Sequence, residues 1–436
     1  MKHQKRNLAM TLLVALALCL SLFLTSCNFP WEVSTSIGER DKEYDDILDD
    51  IRDELEETPT DKPSVKPPYN VDDELPDNNY PSIDDNQGNT DNNASSGVAH
   101  AASIGLRSIV SIYAEFGDKV GVSSGVIYDL NIVGGSAFII TNYHAIYNEE
   151  YGLSENISCY LFGMESAEYA IPTTFVGGSP NYDLAVLRVE DSKVIRAAGA
   201  HGSISEARFS NSDHVYPGQT AIAIGNPKMS GISVTSGIVS VDSEQIYIQS
   251  STGTGTLQMR VIRVDTPVNL GNSGGGLFDE HGNIIGIVNA RSSSTSIENI
   301  GYAIPSNVAR AVTDNIIDHC YGTDCTSFMR AMLGVTVIPS SLSTRYDDST
   351  GRIERYEEVS VHEVSDGSLA KDIFEVGDVI KQVKIGAKVF DINRQFQLID
   401  AMLDARVGDT VTFTVIRDGA EIELSTTITE SCLTAY

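Results

Sequence analysis

The sequence predicts a mostly β protein of two folded units, the second of mixed α and β character. Three observations carry this. Short β-branched runs bounded by glycine follow one another from Ile109 to Val288, the pattern of strands in a sandwich or barrel. Helical periodicity is nearly absent until Asn307–His319, where Val308, Val312 and Ile316 share one face. Beyond that helix, Gly-Asp turn pairs, an alternating run at Val411–Ile416 and one amphipathic stretch make up a second unit. The length agrees, because 436 residues exceed one ordinary domain and fit two or three at about 150 each.

The chain opens with Lys2, Lys5 and Arg6, then an apolar run from Leu8 to Leu24. This is the charged and then hydrophobic pattern of a signal peptide, and the run is shorter than the roughly 20 residues of a spanning helix. It ends in Leu24-Thr25-Ser26-Cys27. That tetrapeptide resembles the lipobox of bacterial lipoproteins, which implies that Cys27 is lipidated and becomes the first residue. Residues 1–26 are therefore expected to be a lipoprotein signal peptide.

Charge is uneven along the rest of the chain. The protein has 30 basic and 60 acidic residues, net −30. That argues against a nucleic-acid binder, which needs a basic face. Glu39–Asp91 holds nineteen acids and five bases, net −14, with Pro59, Pro63, Pro67 and Pro68. Residues 27–100 read as an acidic disordered tether. Ile47, Leu48, Ile51 and Leu55 sit at helical spacing within it, so a short amphipathic helix is the alternative there. The 41% apolar share is enough for ordinary cores in the remaining residues.

The next strands are expected at Ile109–Tyr113, Gly125–Tyr128, Ala137–Thr141, Asp183–Val189, Thr220–Ile224, Ser233–Val239 and Ile284–Val288. Three patterns among them carry chemistry. His144 follows the apolar run Ala137–Thr141, and a histidine titrates near neutrality, so it suits a general base. Asp183 enters the apolar Leu184–Val189 run, where a carboxylate needs a partner; a histidine is a natural one. Gly271-Asn272-Ser273-Gly274-Gly275-Gly276 presents a hydroxyl among backbone donors, as acyl transfer requires. Each pattern alone also fits a packed or surface histidine, a turn-capping acid or a flexible glycine turn. Together the order His144, Asp183, Ser273 is one of the known triad orders. The spacing suits two small barrels, His and Asp from the first and Ser from the second.

Seven blocks in order resemble the HtrA (Deg-type) serine proteases. They are Ser124–Ile127, Thr141–His144, Asp183–Leu187, Ala223–Pro227, Val234–Ser240, Gly271–Gly275 and Gly301–Asn307. The resemblance implies a trypsin-like double β-barrel over residues 101–320. It makes Ser273 the nucleophile, His144 the general base and Asp183 its orienter, with the Gly271 and Ser273 N–H groups as the oxyanion hole. It also implies a homotrimer. The sequence departs from the family at Pro267-Val268-Asn269-Leu270, and its Asp129–Gly135 segment is short. The substrate pocket is expected from Val268, Asn269, Leu270, Ile287, Val288 and Asn289, all apolar or neutral, so small or medium apolar P1 residues are expected.

The second unit, residues 328–430, resembles a PDZ domain. The matching stretches are Leu333–Val337, Val361–Val364, Gly367–Ala370, Val376–Ile380 and Gly408–Gly419. Such a domain binds peptide C-termini by strand addition, with Leu333, Gly334 and Val335 as the candidate carboxylate loop. Phe396, Ile399 and Leu403 predict one face of a helix around Asn393–Ala405. Ser340–Glu358 reads as a polar insertion.

Cys159, Cys320, Cys325 and Cys432 allow three pairings, and sequence does not choose among them. Cys320 and Cys325 are close enough to bridge and follow His319, but no second ligand pair follows, so neither metal nor cofactor is expected. The expected function is an endopeptidase for unfolded or damaged proteins, lipid-anchored on the outer face of a bacterial cell membrane. The alternative is a membrane-tethered chaperone or peptide-sensing scaffold with little proteolysis.

Overall fold

The computed structural model describes residues 97–227, 231–250, 252, 255–289, 300–323, 325–348 and 351–436. The expected signal peptide, Cys27, the tether up to residue 96 and the Ile47–Leu55 stretch lie outside the described residues. Among the described residues no helix is long and apolar enough to cross a membrane.

Six strands close the first barrel: β1 Ile109–Phe116, β2 Lys119–Asn131, β3 Ser136–Thr141, β4 Ile157–Leu161, β5 Ile171–Ser179 and β6 Leu184–Val189. Their order around it is β1-β2-β3-β6-β5-β4. The second barrel is built from β7 Thr220–Gly225, β8 Ser233–Gln249, β9 Thr256–Val264, β10 Gly276–Phe278, β11 Ile284–Asn289 and β12 Gly301–Pro305, in the order β8-β9-β12-β11-β10-β7. Alternation sorts the side chains, as the period of two requires. In β1, Val110, Ile112 and Ala114 fill the first barrel with Ile139 and Leu187. Ile109, from the opposite face, joins Ile140, Ile224, Phe278 and Ile287 in the seam between the barrels. Ala221, Ala223, Ile262 and Leu277 fill the second barrel.

Three helices pack on the barrels, two of them at the seam. Helix α1, Val98–Gly105, precedes β1 and buries Ala101 and Gly105. Helix α2, Lys193–Ala200, follows β6 and is capped by Ser192, whose hydroxyl accepts from Ile195 N–H. Neither is foreseen from periodicity, since eight residues are too few to show a clear apolar stripe. Helix α3, Ser306–Cys320, lays Val308, Val312 and Ile316 into the seam, the face its periodicity predicts.

The C-terminal unit is a six-stranded sheet, five of its strands in the order β14-β15-β16-β18-β19. Its strands are β14 Val335–Asp347, β15 Arg352–Val364, β16 Val379–Ile385, β18 Thr410–Arg417 and β19 Ala420–Thr427, with β17 Lys388–Asp391 paired to β16. A separate two-stranded sheet joins β13 Met329–Ala331 to β20 Leu433–Ala435. The expected polar insertion is regular: Ser341↔Glu358 through Asp347↔Arg352 extends the β14–β15 hairpin. Arg352 at its end stacks 3.2 Å over the Tyr216 ring of the second barrel.

Helix α4 is shorter than expected, Gln395–Met402, and its faces differ from the prediction. Leu398, Ala401 and Met402 pack into the C-terminal core. Phe396, Asp400 and Leu403, at i, i+4 and i+7, turn to the protease barrels instead. Leu403 enters the seam core, and Arg260 of β9 lies 3.5 Å over the Phe396 ring. Arg260 also pairs with Asp400, and at 3.9 Å with Asp213. Arg394 reaches Asp242 at 2.8 Å. Burial outweighs the pull of Arg260 and lifts the Asp400 carboxyl to about 6.

Candidate active site

The groups meet where the two barrels face each other. Thr141 ends β3, and a short 3₁₀ turn, Tyr143–Ala145, carries His144. Across from it the chain turns at Pro180–Asp183 before β6. Asp183 holds a left-handed φ of 51°, a conformation aspartate tolerates better than most residues but at a cost of about 1–2 kcal/mol. Its surroundings hold it there. Asn142 Nδ2 donates to the Asp183 carbonyl at 2.8 Å, and His144 N–H donates to Asp183 Oδ1 at 2.9 Å.

The buried carboxylate is thus fully partnered. Oδ2 lies 2.6 Å from His144 Nδ1 and accepts from Asn289 Nδ2 at 3.0 Å. The far side of the imidazole, Nε2, lies 3.1 Å from Ser273 Oγ. Asp183 is 1% exposed and Ser273 4%, so both ends of the relay are largely covered, and the His144 imidazole between them, 20% exposed, meets solvent. With Nδ1–H pointing at the carboxylate, Nε2 is the lone-pair nitrogen that faces the hydroxyl.

Ser273 sits in a tightly tied turn. Asn272 N–H donates to the Asn269 carbonyl at 3.0 Å, and Gly271, third residue of that turn, has φ of 97°. A positive φ there marks a type II turn, which fixes the orientation of the Leu270–Gly271 peptide. Ser124 ties the loop to the first barrel. Its N–H donates to the Ser273 carbonyl at 2.8 Å, and its hydroxyl donates to the Gly271 carbonyl at 2.7 Å. Gly274 allows the close approach, because a Cβ there would lie 2.5 Å from Thr141 Oγ1 and against the Ser124 carbonyl.

The residues expected to line a substrate pocket separate into two groups. Asn269 and Leu270 are exposed, Leu270 at 67%, and Val268 is half-buried. Ile287, Val288 and Asn289 present no surface at all. The first two are core residues of the seam and the second barrel. Asn289, expected in the pocket wall, instead donates to the carboxylate. Sequence reasoning misses that role and that of Asn142, since an asparagine beside a strand carries no mark of its partner.

In the C-terminal unit, Gly334 has a left-handed φ of 80°, and its carbonyl accepts from Ser365 N–H at 2.8 Å. Leu333 is buried. β14 is an edge strand, and Gln395 Nε2 donates to its Val337 carbonyl at 2.6 Å.

Residues 123–287 match the family model for a trypsin-like peptidase domain, and residues 331–428 match that for a PDZ domain. The Serine protease Do-like HtrA of Bacillus subtilis (strain 168) is 31% identical over 310 residues, covering 69% of this chain and 62% of that protein. The Serine protease Do-like HtrA of Lactococcus lactis subsp. lactis (strain IL1403) is 31% identical over 316 residues, covering 69% and 70%. A probable periplasmic serine endoprotease, DegP-like, of Bartonella henselae is 30% identical, covering 66% and 52%. Among solved structures, an HtrA-type protease AlgW with tripeptide is 25% identical with a TM-score of 0.49, covering 78% of this chain and 98% of that one. The chain spans a little under two thirds of the length of its Bacillus subtilis relatives.

Proposed function

We propose, for a chain that belongs to the HtrA family of trypsin-like serine proteases, that it hydrolyses peptide bonds of unfolded or damaged proteins through Ser273, His144 and Asp183. The observation that carries this reading is the continuous relay from Asp183 through His144, 2.6 Å and 3.1 Å, to the Ser273 hydroxyl. His144 Nε2 takes the hydroxyl proton as Ser273 Oγ attacks the scissile carbonyl. Asp183 holds Nδ1–H and stabilises the imidazolium without taking the proton. The Gly271 and Ser273 N–H groups receive the oxyanion, a contribution worth about 10²–10³ in rate per donor. His144 returns the proton to the leaving amine, and water then releases the acyl group by the same route.

Val268, Asn269 and Leu270 supply a neutral wall beside the serine, which favours small or medium apolar P1 side chains over Lys or Arg. The PDZ unit takes peptide C-termini as an added strand on β14, with Leu333, Gly334 and Val335 at the carboxylate. Such a peptide competes with Gln395 for the Val337 carbonyl. The enzyme works outside the cytoplasmic membrane, tethered by lipid on Cys27, as a homotrimer. Its Bartonella relative is itself named periplasmic.

Casein hydrolysis and fluorophosphonate labelling of the full chain and of Ser273→Ala test the reading. Labelling at Ser273 and hydrolysis that vanish together in the variant support it. Hydrolysis that persists in Ser273→Ala, or is missing from the wild type, replaces it with a tethered peptide-binding scaffold.

A further inference from the structure

Helix α3 ends at Cys320, and the chain at once turns back on itself. Gly322 takes a left-handed φ of 76°. The Thr323 hydroxyl donates to the His319 carbonyl at 2.8 Å, and Cys325 N–H donates to Thr323 Oγ1 at 3.1 Å. The turn brings Cys325 Sγ to 2.7 Å from Cys320 Sγ. Among the described cysteines this is the sulfur pair in contact, and Cys159 and Cys432 lie buried elsewhere. We propose that Cys320 and Cys325 form a reversible disulfide, a staple for the segment that braces the turn carrying Asp183.

The bond needs little rearrangement, since a disulfide is about 2.05 Å long. The two thiols are unequal. Cys320 is 3% exposed and burial pushes its thiol up to about 12, whereas Cys325 is partly open to solvent. Cys325 is therefore the entering nucleophile. Its thiolate attacks one sulfur of an external disulfide, RSSR, forms a mixed disulfide and expels RS⁻. Cys320 gives its proton to that thiolate and attacks Cys325 Sγ, expelling the second RS⁻, which takes up the proton Cys325 had released. Two protein thiols are oxidised and RSSR is reduced to two RSH.

The staple acts on the segment C-terminal to it. Both sulfurs lie against the Ser327 carbonyl, at 3.6 and 3.3 Å. Thr326–Phe328 runs along the end of β5: Gly178 N–H donates to the Thr326 carbonyl at 3.0 Å, and Phe328 N–H to the Gly178 carbonyl at 3.1 Å. Gly177 packs so close that a Cβ would lie 3.2 Å from Cys320 Sγ. The next residue after Gly178, Ser179, accepts through its hydroxyl from Tyr182 N–H at 3.3 Å. The Tyr182 ring meets Phe328 edge-on, centroids 5.5 Å apart, and Asp183 comes next. The five-residue separation constrains little of the unfolded chain, so the bond acts locally on this brace.

The test equilibrates the full chain with reduced and oxidised glutathione, alkylates it and maps the peptides without reduction. Hydrogen exchange of residues 179–184 and 326–328 and the fluorophosphonate rate are read in both redox states. Cys325→Ser is run alongside. The expected result is a Cys320–Cys325 linked peptide under oxidising buffer. Reduction should speed exchange in both segments several-fold and slow labelling severalfold, with Cys325→Ser fixed in the reduced behaviour. Separate alkylation of both cysteines under oxidising buffer overturns the staple. A linked peptide with unchanged exchange overturns the brace. Only the labelling rate rests on Ser273 as nucleophile, so a failure of that reading leaves mapping and exchange to decide, in wild type even where the variant does not fold.

Discussion

Replacing Gly271 by alanine tests the proposed oxyanion hole separately from the rest of the relay. In the wild type this residue closes a type II turn at φ of 97°. A type I turn over the same four residues places its third residue near −90° and accepts any side chain. A Cβ disfavours the positive-φ form by about 1–2 kcal/mol. With the two forms otherwise equal in energy, roughly 3–15% of Gly271→Ala molecules keep the type II turn. The change turns over the Leu270–Gly271 peptide and withdraws the Gly271 N–H from the reacting carbonyl. Acylation should therefore slow about 7–30-fold from population alone, and by at most about 10²–10³ if the donor is lost throughout. KM should move little, because the donor acts on charge that develops in the transition state. Pre-steady-state acylation by a chromogenic ester measures the rate, and a thermal melt confirms that Tm is kept. Acylation within twofold of wild type at unchanged Tm would refute the assignment of Gly271 N–H to the oxyanion.

Three further outcomes are expected. Asn289→Ala removes one donor from a buried carboxylate, a bond of about 1.5–3 kcal/mol, and should lower kcat about 10- to 100-fold while KM holds; a steady-state split that falls on KM instead would assign Asn289 to substrate binding. Asp400 holds its proton up to about pH 6 in the fold and only to about pH 4 when unfolded. The folded state thus binds more protons in that window, and stability falls as pH rises through it. Asp400→Asn lacks this slope, so the stability of wild type relative to the variant should drop by on the order of 1–3 kcal/mol between about pH 4 and 6.5 in urea melts. Gln395→Ala frees the Val337 carbonyl, and binding of a fluorescent peptide with a free C-terminus should tighten by up to about tenfold in anisotropy titrations, whereas weaker binding would make Gln395 a peptide contact.

Seven of the twelve barrel strands and the relay residues are legible in the sequence because each rests on a local pattern, whereas β4, β5, β9, β10 and β12 are not among the expected runs. His144, Asp183 and Ser273 are chemically distinct residues beside strands, and the spacing between them suits two barrels. Asn289 illustrates what is not legible. Its position at the end of an apolar strand suits a pocket wall equally well, and only the packing of β11 against the Asp183 turn shows where its amide points. Ile287 and Val288 are misjudged for a related reason, since an apolar residue near a serine serves a pocket and a core alike. Helix α4 shows a third limit. Its apolar residues divide between two partners, so no single stripe describes it. Phe396 and Leu403 make sense only once Arg260 and the barrel seam are in view.

The brace behind Asp183 has a consequence for timing. The Ser179 hydroxyl donates to the carbonyl of Tyr436, 257 residues later in the chain. The Tyr436 ring packs against Tyr182, and the Arg330 guanidinium lies 5.0 Å from that ring's centroid. A chain made from its N-terminus completes both barrels before it delivers Tyr436. That support for the Asp183 turn thus arrives only after both barrels have been made, so a chain still short of Tyr436 would hold His144, Asp183 and Ser273 without the clasp that steadies them.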